Sequence, residues 1–189
     1  MNVLIGKIIK DLVSPLPYFD IGAGLVQVIK KSDISDIKGV FKKFPVEVNV
    51  TEENNLLALY PDEHLKGLFF VEDMGARSDG NNDWTSDLTL VCWFCPKKIS
   101  SNADAVSAHA LADITNLFKP FYNVGPISRL KINVVSIPQR ESGIFSKYTF
   151  DEAQTQYLMP PFDFFALKLK CSYRLSPNCL TPLNPPASC

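Results

Sequence analysis

Two cysteines three positions apart have the spacing in this sequence that most resembles a chemical motif. Cys92 and Cys95 form a C-x-x-C pair, which is the spacing of redox-active dithiols and of many zinc sites. A redox pair needs its first thiol at the start of a helix, whereas this pair falls on a predicted strand. Side chains alternate along a strand, so the two thiols should point to opposite faces, with Cys92 beside Leu90 and Phe94. We therefore predict buried structural cysteines.

The other ionisable residues form no catalytic or metal-binding set that the sequence reveals. The two histidines are His64, in a predicted turn, and His109, on a predicted helix. No second cysteine pair stands at zinc-binding spacing. The acidic pairs Glu72–Asp73 and Asp151–Glu152 could perform acid–base chemistry only if a cleft raised the pKa of one member. The sequence predicts no catalytic residue, no cofactor and no metal site, and so no enzyme.

Two glycine-containing stretches fail as ligand-binding loops. Gly22-Ala-Gly24 lacks the third glycine of a dinucleotide-binding turn, and no helical pattern follows it. The stretch 75–83 is rich in oxygen donors. However, Gly75 and Arg77 stand where a calcium-binding loop needs acidic or amide side chains. We predict that 75–83 is a polar loop that turns into the following strand.

Composition and charge narrow the class of partner. The chain has 189 residues, of which 46% are hydrophobic and 21% charged, and its formal net charge is -1. It therefore has no global basic field to attract nucleic acid. No apolar run approaches the ~20 residues of a membrane-spanning helix, and charged residues interrupt the N-terminal apolar pattern where a secretory signal would be continuous. We expect an intracellular protein with no nucleic-acid specificity and no membrane contact.

Hydrophobic periodicity predicts a chain of mixed helices and strands. Apolar residues at helical spacing predict a helix over 2–13, which Ser14-Pro15 ends. Ser101 followed by Asp104 is a helix-start signal and predicts a second helix to Phe118. Alternating apolar residues predict strands at 21–29, 44–50, 84–94, 130–135 and 164–175, with a hairpin or an extra pair of strands at 56–60 and 67–74.

The strand 164–175 has the clearest pattern and fixes the predicted architecture. Its apolar positions share one face, and they are Phe165, Leu167, Leu169, Cys171, Tyr173 and Leu175. Its opposite face carries Lys168, Lys170, Ser172 and Arg174. This pattern predicts an α+β fold with a mostly antiparallel sheet that two helices cover on one face. We assign a single domain to 1–175 and a proline-rich tail to 176–189.

Three stretches carry a family resemblance. The first is the N-terminal helix together with the later strand Phe44-Pro45-Val46-Glu47-Val48. The second is the strand that begins at Trp84 and leaves through Phe94-Cys-Pro into the 104–118 helix, and the third is the terminal strand at 162–169. In this order the chain resembles the tail-terminator proteins of long-tailed bacteriophages and the related minor tail and head–tail joining proteins.

The resemblance implies a fold and a mode of action. The fold would be a small α+β sandwich, and the subunits would form a homo-oligomeric ring that caps the growing tail tube and offers a docking surface for the head. Ring contacts in such families run head to tail, so that one patch meets a different patch. The implied partners are further copies of the chain, the tail tube and head-completion proteins. The implied location is the virion tail, and the host cytoplasm during assembly.

The irregular stretch 138–163 is where we expect the contacts between subunits. Long loops held by a sheet commonly carry function, and tyrosine and arginine are favoured interface residues. We predict interface roles for Arg140, Tyr148 and Tyr157. The alternatives are a small enzyme with an unrecognised site and a ligand-binding module of similar α+β fold.

Overall fold

The computed structural model describes residues 1–32, 41–48, 58–118, 122–140, 143–149 and 155–176. These residues form a mixed α+β fold, which confirms the predicted class. The helices are α1 (Asn2–Val13), α2 (Pro96–Ile99) and α3 (Val106–Leu117), with 3-10 turns at Ala103–Ala105 and Gln156–Leu158. The strands are β1 (Ile21–Ser32), β2 (Phe41–Glu47), β3 (Gly67–Gly80), β4 (Asp83–Phe94), β5 (Tyr122–Val124), β6 (Ile127–Ser136) and β7 (Asp163–Leu175).

The seven strands lie in one sheet in the order β2-β1-β3-β4-β7-β6-β5. β1 and β3 run parallel, and all the other neighbouring pairs of these strands are antiparallel. The ladder between β4 and β7 runs without a register shift from the pair Asp83 and Arg174 to the pair Phe94 and Asp163. These two strands form the centre of the sheet, as their regular apolar patterns indicated.

A tight hairpin joins β3 to β4 where the sequence predicted a polar loop at 75–83. β3 continues to Gly80, and the turn residues Asn81 and Asn82 have φ values of 47° and 66°. A two-residue hairpin turn of this kind needs positive φ at both central positions, which asparagine tolerates. The loop prediction was wrong because residues 73–80 are all exposed, so this part of the strand needs no apolar alternation.

Helix α1 has the bounds that its periodicity predicted and packs directly on β1. Ile5, Ile9 and Val13 are completely buried. Gly6 faces β1 so closely that a Cβ atom there would lie 2.7 Å from the backbone nitrogen of Leu25. A side chain at this position would force the helix away from the strand, so glycine sets the distance between the two elements.

Helix α3 begins later than the sequence predicted. Its apolar residues Val106, Ala110 and Ile114 are buried, as its periodicity indicated. The predicted start signal at Ser101 and Asp104 does not cap it, because the Ala103–Ala105 turn precedes the helix, which follows Ala105 without a side-chain cap.

Two hydrophobic clusters lie on opposite faces of the sheet, and alternate residues of each central strand divide between them. The helix-side cluster contains residues of α1 and α3 and comprises Ile5, Ile8, Ile9, Val13, Tyr18, Leu25, Phe69, Val71, Leu88, Leu90, Cys92, Phe94, Val106, Ala110, Ile114, Ile127, Leu130, Ile132, Phe165, Leu167, Leu169, Cys171, Tyr173 and Leu175. The loop-side cluster contains part of the 143–149 segment and comprises Ala23, Val26, Leu59, Leu68, Phe70, Val91, Trp93, Cys95, Ile144, Phe145, Tyr148, Phe164 and Ala166.

The loop-side cluster corrects the prediction that the second face of the sheet is open to solvent. On β7, Lys168 and Lys170 are exposed on that face, as predicted. Phe164 and Ala166 lie on the same face and are 6% and 2% exposed. Part of the stretch 138–163 covers this end of the face. Strand alternation cannot reveal such a cover, because the covering residues are distant in sequence.

Three further predictions concern segments that the structure describes only in part. β2 spans Phe41–Glu47 instead of 44–50, and positions 49–50 lie outside the described residues. Of the predicted strand at 56–60, positions 58–60 are not in a strand and 56–57 are not described. All but the first residue of the 176–189 tail lies outside them, so the domain boundary stays a prediction. Among the described residues, no helix combines the length and apolar character needed to span a membrane.

Candidate functional site

The segment after β6 is attached to β7 by the backbone and is not a loose loop. The amide of Ala166 donates to the carbonyl of Pro138 at 2.9 Å, and the amide of Arg140 donates to the carbonyl of Phe164 at 3.1 Å. Gln139 and Phe165 form an isolated antiparallel bridge between these two bonds. The start of the stretch 138–163 is therefore held in a fixed position beside the centre of the sheet.

Arg140 lies at the surface and is tied to the start of β7. Its Nε donates to Asp163 Oδ1 at 2.7 Å, while 65% of the arginine side chain stays exposed. The other carboxylate oxygen of Asp163 accepts a hydrogen bond from Ser107 of α3. Burial by itself raises the pKa of Asp163, but the hydrogen bonds from Arg140 and Ser107 outweigh it and lower that pKa below its ordinary value. The arginine is thus oriented before any partner binds.

Tyr148 lies inside the protein, where it forms part of a charged hydrogen-bond network. Its hydroxyl donates to Glu72 Oε1 at 2.5 Å, and Lys147 Nζ donates to Glu72 Oε2 at 2.7 Å. Tyr148 and Glu72 are 8% and 6% exposed. Burial, and after it the Glu72 carboxylate, raise the pKa of Tyr148 far above its ordinary value, so the phenol remains a donor. The network fixes the 143–149 segment to β3.

Tyr157 is half-buried and contacts the core through its backbone. Its carbonyl accepts a hydrogen bond from Trp93 Nε1 at 2.7 Å. Its ring meets Phe162 edge to face, with the ring centroids 5.2 Å apart, and Phe162 stacks on Trp93. The three predicted interface residues therefore lie in one stretch of chain but differ in exposure. Whether they contact a partner stays a prediction.

A small cleft of about 160 Å³ opens between the 143–149 segment and the sheet. Val91, Ala166 and Ile144 contribute apolar atoms to its walls, while Lys147 and Lys168 contribute ammonium groups. Lys147 is already paired with Glu72. The cleft can receive one side chain or a similarly small group.

A second cleft, of about 410 Å³, lies on the helix side of the molecule, where the segment between α1 and β1 and the residue before β3 meet α2 and α3. Its polar lining residues are Tyr18, Lys66, Lys98, Ser100, Asn102 and His109. Lys98 and His109, the latter on the helix that the sequence predicted, are both exposed. The fold brings them to one concavity with residues that are distant in sequence, such as Tyr18 and Lys66.

The cysteine pair has the arrangement that strand alternation predicted. Cys92 is completely buried in the helix-side cluster, and Cys95 lies in the loop-side cluster on the opposite face. Burial raises the pKa of the Cys92 thiol well above its ordinary value. The two cysteines therefore lie on opposite faces of the sheet, as predicted, although β4 ends at Phe94 and Cys95 is the residue before α2.

Comparison with known proteins identifies no relative from which a function could be inferred. No family model matches the chain, and none of the curated proteins matches it either. The geometric features that bear on function include the two clefts and the residues anchored beside β7.

Proposed function

We propose that this protein is a structural assembly protein of a bacteriophage or prophage tail, acting in a homo-oligomeric ring as a tail terminator or head–tail joining protein. In this proposal it acts by association and not by catalytic turnover. Its partners are the tail tube and head-completion proteins, and its locations are the virion tail and, during assembly, the host cytoplasm. The proposal starts from the family resemblance of the sequence and is supported by two features of the fold.

The first supporting feature is the way the helices pack. The proposed family fold is a small sandwich in which two helices cover one face of a mostly antiparallel sheet. Consistent with it, Ile5 and Ile9 of α1 share the helix-side cluster with Ala110 and Ile114 of α3. Both helices therefore contribute to the same hydrophobic cluster, although the sandwich arrangement itself is part of the proposal.

The second feature, which carries the proposal, is the exposed edge of β6. β7 pairs with one side of β6, and on the other side β5 pairs only with residues up to Leu130. Among the described residues, no strand pairs with the outer side of β6 beyond that point. Val135 is 66% exposed and Ile137 is 38% exposed, and residues 132–137 carry no charge.

An open, uncharged strand edge favours association with another chain. Unpaired backbone groups on an edge strand are a template for pairing, and proteins that must stay monomeric usually protect them with charge. The β6 edge leads through Ile137 directly to the fixed guanidinium of Arg140. We propose that this edge meets a different patch on the next subunit, because such a head-to-tail contact closes into a ring.

The decisive experiment compares the assembly of the wild type with that of a protein whose β6 edge carries charge. We expect the wild type to sediment as a ring at micromolar concentration. The double variant Val135→Lys, Ile137→Lys should sediment as a folded monomer, because paired edges do not accept buried ammonium groups. In infected or induced cells the same variant should give tails of abnormal length by electron microscopy.

A matched control separates edge pairing from a general effect of added charge. Val28 on β1 is 45% exposed and lies away from the β6 edge, so Val28→Lys should leave the ring intact. A wild type that stays monomeric at high concentration and has no effect on tail length would refute the assembly function. A ring that survives in the Val135→Lys, Ile137→Lys variant would refute the role given to β6.

The alternative class, a small enzyme or ligand-binding module, is favoured by one observation. The cleft of about 410 Å³ brings several hydrogen-bond donors together, and it has the size of an ordinary small-molecule site. It lies on the helix side of the sheet, away from the β6 edge, so binding there and assembly do not exclude each other.

A further inference from the structure

The larger cleft has walls that the surrounding structure holds in place. Lys66 is the residue before β3, and two hydrogen bonds hold its backbone. The carbonyl of Lys66 accepts from the amide of Cys95 at 2.7 Å, and the amide of Lys66 donates to Asp20 Oδ2 at 2.6 Å. The next residue is Gly67, where a Cβ atom would lie 2.5 Å from the carbonyl oxygen of Tyr18. The backbones of the segments around Tyr18 and Gly67 are therefore in direct contact, and this close packing keeps the cleft open.

The opposite wall is formed by the turn between β4 and α3. The amide of Lys98 donates to the carbonyl of Cys95 at 3.0 Å, and the amide of Ser100 donates to the carbonyl of Pro96 at 3.1 Å. The amide of Asn102 donates to Ser100 Oγ at 3.1 Å. These bonds fix the backbone that carries the lining side chains.

The lining carries positive charge that is not neutralised inside the cleft. Lys98 and His109 form no ion pair with any of the described residues, whereas Lys66 pairs with Asp20 at 3.5 Å. Among the described lining residues there is no carboxylate. The nearby carboxylate of Asp113 is occupied, because it accepts the hydroxyl of Tyr18 at 2.5 Å.

The phenol of Tyr18 is held neutral, with its one proton donated to Asp113. Burial, followed by the hydrogen bond to Asp113 and its charge, raises the pKa of Tyr18 to about 12. Ser100 and Asn102 add a hydroxyl and an amide to the lining, and Ile99 and Val106 add apolar surface. The cleft therefore combines the ammonium group of Lys98, which has no ion-pair partner among the described residues, the neutral hydrogen-bonding groups of Ser100 and Asn102, and an apolar wall.

We propose that this cleft binds a small organic anion that carries one phosphate or carboxylate group attached to an apolar part. Lys98 and His109 contact the oxyanion, because charge-assisted hydrogen bonds to such groups are the strongest that side chains form. Ile99 and Val106 contact the apolar part. The volume of about 410 Å³ lies within the range of small-molecule sites. The site does not depend on the proposed tail function.

Titration of the full-length protein with three probes tests this inference. The probes are phenyl phosphate, benzoate and inorganic phosphate, and binding is followed by calorimetry and by amide chemical shifts in NMR spectra. Phenyl phosphate or benzoate should bind with a Kd of about 1 mM or tighter and shift the amides of Lys98 and His109. The tighter of the two identifies the head group. Inorganic phosphate should bind more weakly than phenyl phosphate, since it lacks the apolar part.

Two pairs of matched variants locate the site. Lys98→Gln should weaken binding by about fivefold or more, whereas Lys97→Gln, at the exposed neighbouring position outside the lining, should leave it unchanged. His109→Gln should likewise weaken binding, and His64→Gln should not. Circular dichroism of each variant verifies that it is folded.

Three results would overturn the inference. The first is that neither organic probe binds at a concentration of about 10 mM, because a formed site should bind at least one of them with a Kd below that value. The second is an equal loss of affinity in Lys97→Gln and Lys98→Gln, which would mean binding to surface charge in general. The third is inorganic phosphate binding as tightly as phenyl phosphate, which would mean an adventitious ion only.

Discussion

The two faces of the central sheet are buried by different means. On the helix-side face, apolar residues at every second position of β7 share one hydrophobic cluster with residues of α1 and α3, and residues such as Leu167 and Cys171 are completely buried. On the loop-side face, burial extends over one end only, and there the cover includes the 143–149 segment held by Glu72. Regular elements bury a face through repeated apolar contacts, whereas an irregular segment needs particular polar anchors to stay in place.

This difference has consequences for stability and for function. A change on the helix-side face acts on the whole core, because its cluster joins α1, α3 and the central strands. A change on the loop-side face acts through single hydrogen bonds, and it can release a segment while the sheet remains folded. The stretch 138–163, which includes the 143–149 segment, is also where we predict the subunit contacts of Arg140, Tyr148 and Tyr157.

The largest effect is expected for Leu169→Asp. Leu169 is 2% exposed and belongs to the helix-side cluster. An unpaired carboxylate there should cost about 3 kcal/mol or more, a large part of the roughly 5–15 kcal/mol by which an ordinary domain is stable. Thermal and urea denaturation followed by circular dichroism measure the change. A variant that melts within a few degrees of the wild type would contradict the assignment of this face.

Tyr148→Phe should have an intermediate effect confined to the loop side. The change removes the hydroxyl that donates to Glu72 Oε1 and leaves a nearly buried carboxylate with one donor fewer. The expected cost is about 1.5–3 kcal/mol, the range for hydrogen bonds to charged groups. Urea denaturation gives the value, and hydrogen exchange should show faster opening of 143–149 than of β4 and β7.

Tyr157→Phe is the matched control for that variant. The described contacts of Tyr157 are made by its backbone carbonyl and its ring, which phenylalanine preserves. Its stability should therefore stay within about 0.5 kcal/mol of the wild type. Equal losses in the two variants would show that the Glu72 network is not what holds the segment.

A smaller effect, dependent on pH, is expected for Asp163→Asn. The pKa of Asp163 is lowered in the folded state, so its contribution is fully present above the unfolded pKa of about 3.9 and is lost as the pH falls through the folded value. Because Arg140 is 65% exposed, we expect only about 1 kcal/mol at neutral pH. Stability curves of the two proteins should converge at acid pH, once Asp163 is protonated in the folded state as well; parallel curves would contradict the ion pair.

The smallest effect is expected for Lys170→Glu. Lys170 lies on β7 next to Leu169, on the exposed part of the loop-side face. The free energy of unfolding should change by well under about 1 kcal/mol. Comparing this variant with Leu169→Asp isolates the face of the strand as the cause, since the two positions are adjacent. A similar loss in both would show that the two faces do not differ.

The sequence was sufficient where one element carries its own pattern. Helical spacing of apolar residues gave the bounds of α1, and strict alternation assigned the faces of β7 and the opposite directions of Cys92 and Cys95. These features depend on residues within one turn or one strand, so local periodicity contains the information. The α+β class follows from the same patterns.

Only the tertiary structure decided which distant segments meet. The 75–83 hairpin has polar residues on exposed strands, so no alternation could distinguish it from a loop. The contact of Tyr148 with Glu72 joins residues 76 positions apart, and Lys98, His109 and Lys66 reach one cleft from three different elements. The physical reason is that such contacts depend on the path of the whole chain, which no local sequence period encodes.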